Sequence, residues 1–195
     1  MKLYYAPRTR SVRPRWLLEE LGVDYTLERV DLEAGEHKKS EYKANVHPLG
    51  KVPALVDGEI GMFESGAICR YLADKYLSRG LAPGLDRPER AAYNQWMTFS
   101  TATLEPALIK LGSAGDDDKA KAKAREEFDD ICDALESAVG DGQWLLGDQF
   151  TAADIMIGSP LAWAKRSRMF DERPTLLTYT ARVISRPAAV RARLD

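Results

Sequence analysis

The sequence predicts a small α/β domain followed by an all-helical one, and three observations carry that expectation. Strand-like and helix-like patterns alternate in the order β-α-β-α-β-β-α through residue 78. The stretch "SRGLAPGLDRP" then breaks all periodicity with two Gly and two Pro. Beyond it every periodic segment is helical. The expected division is residues 1–78, a linker over 79–88 and a helical domain over 89–195.

"KLYYA" at 2–6 reads as a short strand, and "SVRPRWLLEELG" as a helix with Trp16, Leu17, Leu18 and Leu21 on its apolar stripe and Gly22 as its stop. "YTLERVD" at 25–31 alternates like a second strand, so the opening implies a parallel pair joined by a right-handed crossover. The polar stretch "EAGEHKKSEYKAN" holds a short helix. "PALVD" and "IGMFE" flank Asp57-Gly58, a hairpin signal because Gly tolerates positive φ. A helix runs from Ser65 to about residue 78, with Ile68, Tyr71, Leu72 and Tyr76 on one face.

After the linker, residues 89–112 form one helical pattern that Pro106 should kink. "DDDKAKAKAREEFDDICDALESAV" is a helix with acids at its start, as the macrodipole prefers, and a solvated Lys/Arg face. Before "AADIMIGSPLAWA", Thr151 and Asp154 fit a capping box and Phe150 a staple onto Ile155. As an ordinary cap, each of Thr151 and Asp154 contributes roughly 0.5–2 kcal/mol. Two short helices finish the chain.

Composition narrows the function. The net charge of −2 gives no reason to expect nucleic acid. No apolar run approaches the roughly 18 residues of a membrane span, and the start lacks a secretory signal, so a cytoplasmic protein is expected. Cys69 and Cys132 both read as buried helix residues, with no C-x-x-C for dithiol exchange. His37 and His47 have no partner at metal-binding spacing, so no metal is expected.

The chemistry gathers in "HPLGKVPALVDGEIGMFESGAICRYLADKY", residues 47–76. A strand-initial Pro cannot donate to a sheet ladder. With Val52-Pro53 cis, Val52 would present its N–H and C=O to an extended peptide as an added strand. At Glu64-Ser65-Gly66 a helix begins, whose free N–H groups favour a carboxylate, with the Ser65 hydroxyl as a further donor. Glu64 supplies an acceptor suited to an ammonium. A ligand with an α-amino acid head and a peptide body satisfies both places. Taken singly, Val-Pro is an ordinary turn and Ser65 an ordinary cap.

"HPLGKVPAL" followed by "ESGAICRYLADKY", and later "WLLGDQFTAADIMI", resemble the motifs of the cytosolic glutathione transferases across nearly the whole chain. The resemblance implies a thioredoxin-like N-terminal domain that binds glutathione as co-substrate, a helical domain that helps bind the second substrate, and a homodimer. It implies that Val52 pairs with the cysteinyl part and that Glu64 and Ser65 hold the γ-glutamyl end. By similarity to the theta-like and related branches, His37 and Lys51 approach the glycyl carboxylate. In the loop "YYAPRTRSVRPRW" the family's serine-type pair matches Thr9 and Arg13, and Arg10 stands where bacterial cysteine-type members carry Cys. Ser11 is the rival hydroxyl, better placed to cap the helix, and Tyr5 ranks third. Arg8, Arg10, Arg13 and Arg15 crowd the same loop, either for an anionic ligand or as a solvated basic loop.

The activity so implied is detoxifying attack by glutathione thiolate on a small apolar electrophile. A free thiol titrates near about 8.5, so the site must favour the anion. Glutathione-dependent disulfide or peroxide reduction, isomerisation, and a non-catalytic glutathione-binding module are the competing readings. Tyr93, Trp96, Met97 and Ser100, with Trp163 and Phe170, are candidate walls of the second-substrate pocket, against the alternative that this stripe is core.

Overall fold

The computed structural model describes residues 1–115 and 117–193. It divides into two compact units, residues 1–81 with 186–195 and residues 82–185. The helical domain expected over 89–195 is therefore shorter, because the last ten residues belong with the first unit.

The first unit runs β1 (Lys2–Tyr5), α1 (Val12–Leu21), β2 (Thr26–Arg29), a 3-10 turn (Glu36–Lys38), α2 (Ser40–Asn45), β3 (Ala54–Asp57), β4 (Ile60–Phe63) and α3 (Ser65–Lys75). The sheet order is β2-β1-β3-β4, with β1 parallel to β2 and the other pairs antiparallel. Alternation in β1 buries Leu3 and Tyr5, while Trp16, Leu17, Leu18 and Leu21 bury one face of α1. Gly22, at φ 61°, ends α1 by donating its N–H to the Leu18 carbonyl at 3.0 Å.

The C-terminal return has a specific cause. Glu20, at the end of α1, accepts from Arg186 Nε at 2.6 Å and Nη2 at 2.7 Å, and from Trp16 Nε1 at 3.0 Å. The short helix α9 (Pro187–Arg191) then packs on α1, where Arg191 Nε donates to Glu19 at 2.7 Å. A bidentate guanidinium–carboxylate pair has a geometry that Lys could not reproduce. Nothing in the local sequence around either partner announces the pairing.

Asp57, the last residue of β3, is bonded by Lys75 and, at 2.8 Å, by the Tyr71 hydroxyl, both on α3. Lys75, then Tyr71, holds the Asp57 carboxyl below its ordinary range. A carboxyl depressed by folding stabilises the native state above its unfolded value, near about pH 4. That contribution is lost as pH falls through the native value. Asp57→Asn is therefore expected to be less stable than wild type at neutral pH, the gap closing as acid is added. Urea midpoints across pH 2–7 check this (the range is roughly that of carboxylate titration), and a pH-independent gap would contradict it.

The regular elements of the second unit are helices among the described residues: α4 (Glu89–Phe99), a π turn (Ser100–Leu104), α5 (Glu105–Gly112), α6 (Asp118–Val139), α7 (Ala152–Arg166) and α8 (Pro174–Ile184), with two isolated β-bridges in the loop before α7, Trp144 to Gly147 and Leu146 to Gln149. The single kinked helix expected over 89–112 is instead two helices joined by the π turn. Pro106 sits in the first turn of α5, where its missing N–H is tolerated. The wider π spacing absorbs the break one turn earlier. The acid run before α6 opens at Asp116, outside the described residues. Asp117 caps α6, accepting from the Lys119 and Ala120 N–H groups at 3.0 Å each.

Helix α7 is the core of this unit, buried at every position from Ala152 to Gly158. Pro160 lies inside it and leaves the Met156 carbonyl without its usual i+4 donor. The Ser100 hydroxyl fills that vacancy, donating to Met156 O at 2.6 Å. The Thr151–Asp154 capping box is present. Cys69 and Cys132 are both buried, and burial pushes each thiol up to about 12, which keeps them protonated and inert. No helix among the described residues is long and apolar enough to cross a membrane.

Candidate functional site

Three chain segments end side by side at one margin of the sheet. The β1–β3 ladder pairs Tyr4 with Ala54, and the β3–β4 ladder pairs Ala54 with Phe63. Just past those pairs the chain reaches Ala6 after β1, Val52-Pro53 before β3 and Ser65, the first residue of α3, after β4. Val52-Pro53 is cis, as the strand-initial Pro suggests. The Val52 N–H and C=O make no hydrogen bond to other described residues. A half-buried main-chain pair left open beside a sheet can receive an added strand.

Glu64 joins β4 to α3 at φ 70° and ψ 115°, a conformation that L residues avoid. Such strain costs of order 1–3 kcal/mol and persists where the surroundings enforce it. The residue is exposed, and no cation pairs with its carboxylate among the described residues. The Ser65 side chain does not cap α3. It is buried and accepts a hydrogen bond from Arg13 Nη1 at 3.3 Å. Arg13 is itself buried, so a guanidinium lies beside the N-terminus of α3. The sequence pairs Arg13 with the Thr9 hydroxyl, whereas in the structure its guanidinium reaches Ser65 at the start of α3. An Arg 52 positions from its partner leaves no local signal.

The β1–α1 loop carries both hydroxyls. Thr9 Oγ1 donates to the Ala6 carbonyl at 2.7 Å and lies 2.6 Å from Ser11 Oγ. Ser11 is fully buried; its Oγ accepts from Ala6 N at 3.1 Å and donates to Ala6 O at 2.8 Å. Ser11 occupies the N-cap position of α1 but has helical backbone angles and makes no side-chain cap. The capping role expected of it is not the one it has. Tyr5 is buried beside Leu3 with the Arg15 guanidinium 5.2 Å over its ring. Thr9 alone of the three is partly open to solvent.

Gly50, next to Lys51, lies against the His37 main chain. Gly50 has φ 59°, and a Cβ there would stand 2.4 Å from the His37 carbonyl oxygen, so only Gly permits this approach. The Tyr42 hydroxyl donates to the Lys51 carbonyl at 2.8 Å and fixes the segment before Val52. His37 Nδ1 is buried without a hydrogen-bond partner among the described residues. His47 anchors the same loop: its Nδ1 accepts the Leu49 N–H at 3.1 Å, its ring packs on Phe63, and burial lowers its pKa.

The proposed pocket walls are core. Tyr93, Met97 and Ser100 are at most 2% exposed, and the Ser100 hydroxyl is held by Met156. Trp96 and Phe170 are buried as well, and only Trp163 is exposed. The helical Trp/Met spacing marks packing, which a sequence pattern cannot separate from a pocket lining. A cavity of ≈ 310 Å³ in the second unit, lined by Gly140, Asp141, Thr175 and Arg182 among others, contains none of these candidates. No group of three or more metal-ligating side chains gathers among the described residues.

Comparison with known proteins gives the same two-part division. Residues 1–74 match the family model for the glutathione S-transferase N-terminal domain, and residues 118–184 that for the C-terminal domain. A glutathione S-transferase of Hyoscyamus muticus is 32% identical over 184 residues, 88% of this chain and 86% of that protein. A glutathione transferase family member from Pseudomonas fluorescens, solved with two glutathione bound, superposes with a TM-score of 0.87 at 26% identity, covering 98% of this chain and 91% of that one. A sphingomonad glutathione S-transferase complexed with glutathione gives a TM-score of 0.81 at 30% identity, covering 99% and 97%.

Proposed function

The chain belongs to the glutathione S-transferase family, and from that premise we propose that it transfers the thiolate of glutathione to small, largely apolar electrophiles. The observation that carries this reading is that the end of β1, the Val52-Pro53 entry to β3 and the start of α3 meet at one sheet margin, with a buried Arg13 donating to Ser65. It offers, in order, a hydroxyl-bearing loop, an open main-chain pair and a helix N-terminus backed by a cation.

In this reading the γ-glutamyl carboxylate takes the N-terminus of α3 and the Ser65 hydroxyl, and the ammonium takes Glu64. Because Ser65 Oγ accepts from Arg13, its own proton is free for the carboxylate and is polarised toward it. The cysteinyl main chain pairs with Val52, and the glycyl carboxylate lies toward His37 and Lys51. That geometry directs the sulfur to the β1–α1 loop, where Thr9 is the donor whose exposure suits it. The thiol proton leaves to solvent and the thiolate attacks the electrophilic carbon. A carbon–sulfur bond forms as the leaving group departs with its electron pair. The unpaired His37 Nδ1 favours a polar ligand on that side.

A cytoplasmic homodimer completes the proposal. Leu49, Ile60 and Phe63 are 63%, 47% and 39% exposed, on the edge strand β4 and the loop that His47 holds against it. An exposed apolar edge strand is a surface that a second copy would cover. Retention on immobilised glutathione and turnover of an aryl halide test the reading. Binding without turnover over a broad electrophile panel would leave a binding module instead.

Ser65→Ala is expected to weaken glutathione binding by about 1–3 kcal/mol, the cost of losing a bond to a charged group. Isothermal calorimetry measures it. Wild-type affinity in this variant would remove Ser65 from the site.

A further inference from the structure

We infer that Ser11 is a positioning residue: its buried hydroxyl takes over the Ala6 carbonyl and so frees the Thr9 proton for the glutathione sulfur. The inference rests on the reading above that Thr9 faces the thiol. It starts from a count of protons. Thr9 Oγ1, Ser11 Oγ and Ala6 O form a triangle with sides of 2.6, 2.7 and 2.8 Å, all within hydrogen-bond distance. Each hydroxyl carries one proton, so three short contacts share two protons.

Burial decides which proton is bound and which is movable. Ser11 is 0% exposed and its oxygen already accepts the Ala6 N–H at 3.1 Å. Its proton therefore has two destinations inside the protein, the Ala6 carbonyl or Thr9 Oγ1. Thr9 is partly exposed, and its oxygen also accepts the Ser11 N–H at 3.3 Å, which fixes where the hydroxyl sits. With the Ser11 proton on Ala6 O, Thr9 can turn its own proton outward without leaving a buried carbonyl unpaired. Without Ser11, Thr9 is the hydroxyl left at 2.7 Å to satisfy Ala6 O, and donating to a thiolate would orphan that carbonyl. The Ala6 N–H would lose its acceptor as well. No group of the triangle gains or loses a proton in this exchange, since the thiol proton goes to solvent.

The test is the titration of bound glutathione, followed by thiolate absorbance against pH, in four proteins. Ser11→Ala and Thr9→Val are each expected to raise the thiol midpoint by about one pH unit, the worth of one charge-directed hydrogen bond. Adding Ser11→Ala to Thr9→Val is expected to raise it no further, because Ser11 acts only through Thr9. Ser11→Thr, which keeps a hydroxyl, is expected to hold the wild-type midpoint. Should Thr9→Val rise and Ser11→Ala stay at the wild-type value, the inference is overturned while the Thr9 reading stands. Equal rises from Ser11→Ala in both backgrounds would also overturn it, since Ser11 would then act independently of Thr9. No rise in Thr9→Val would remove the Thr9 reading itself, and the inference with it. If Ser11→Ala does not fold, proton NMR of the wild type carries the test. Saturating glutathione is expected to move the Thr9 hydroxyl resonance and leave that of Ser11 slowly exchanging, and the reverse would sink the idea.

Discussion

Asp154→Ala is expected to destabilise the second unit by about 3–5 kcal/mol, at the upper end of what single substitutions do. The carboxylate is fully buried and accepts four hydrogen bonds. Two come from Thr151, through N at 2.9 Å and Oγ1 at 3.2 Å; the others come from Leu145 N at 3.0 Å and the Tyr179 hydroxyl at 2.9 Å. Each buried donor left without an acceptor costs about 1–3 kcal/mol, and partial relaxation keeps the sum below simple addition. The capping-box estimate of roughly 0.5–2 kcal/mol counts only the helix end. It omits the 145 loop and α8, both tied to Asp154 Oδ1. Thr151→Ala, which removes one acceptor and one donor at the cap, stays within the smaller range. Urea unfolding of both variants checks the ranking. Equal losses in the two would mean that Asp154 acts as a cap alone. Glutathione affinity of the folded variants is expected to be unchanged, because the interactions lost belong to the second unit.

Gly50→Ala is expected to cost about 2–4 kcal/mol and to weaken glutathione binding at the same time. Two terms add. The φ of 59° disfavours any residue with a Cβ by roughly 1–2 kcal/mol. The new methyl would also lie 2.4 Å from the His37 carbonyl oxygen and 2.9 Å from Lys43 Cε. Lys43 can swing away, but the carbonyl is backbone, so the 36–38 turn must move off the Gly50–Lys51 loop. Gly58→Ala separates the terms: its φ is 63° with nothing within 4 Å of the added methyl. Gly58→Ala should therefore show the backbone penalty alone and near-normal glutathione affinity. If the two variants lose the same stability and neither loses affinity, the contact between His37 and Gly50 has no part in the site.

The order of the elements, the hairpin at Asp57-Gly58, the Val52-Pro53 turn and the Thr151–Asp154 box were all determined by the sequence itself. Each depends on residues within about four positions of one another, where backbone preference and local hydrogen bonding decide the outcome. The family motifs are likewise contiguous, which is why the family is legible in the sequence alone. What only the tertiary structure decided are pairings across long separations. By sequence Arg13 pairs with Thr9, and the packing of α1 against α3 gives it Ser65 instead. Ser100 looked like a pocket wall because its spacing matches Tyr93 and Met97. It is instead the donor for a carbonyl that Pro160 leaves open 56 residues away. The last ten residues read as more of the helical domain until Arg186 found Glu20 on α1. Ser11 read as a cap, because Ser before a helix usually is one, but burial turned its hydroxyl back onto Ala6. In each of these cases a buried or half-buried polar group had to find a partner, and that requirement is met in space, wherever the fold brings a donor and an acceptor together.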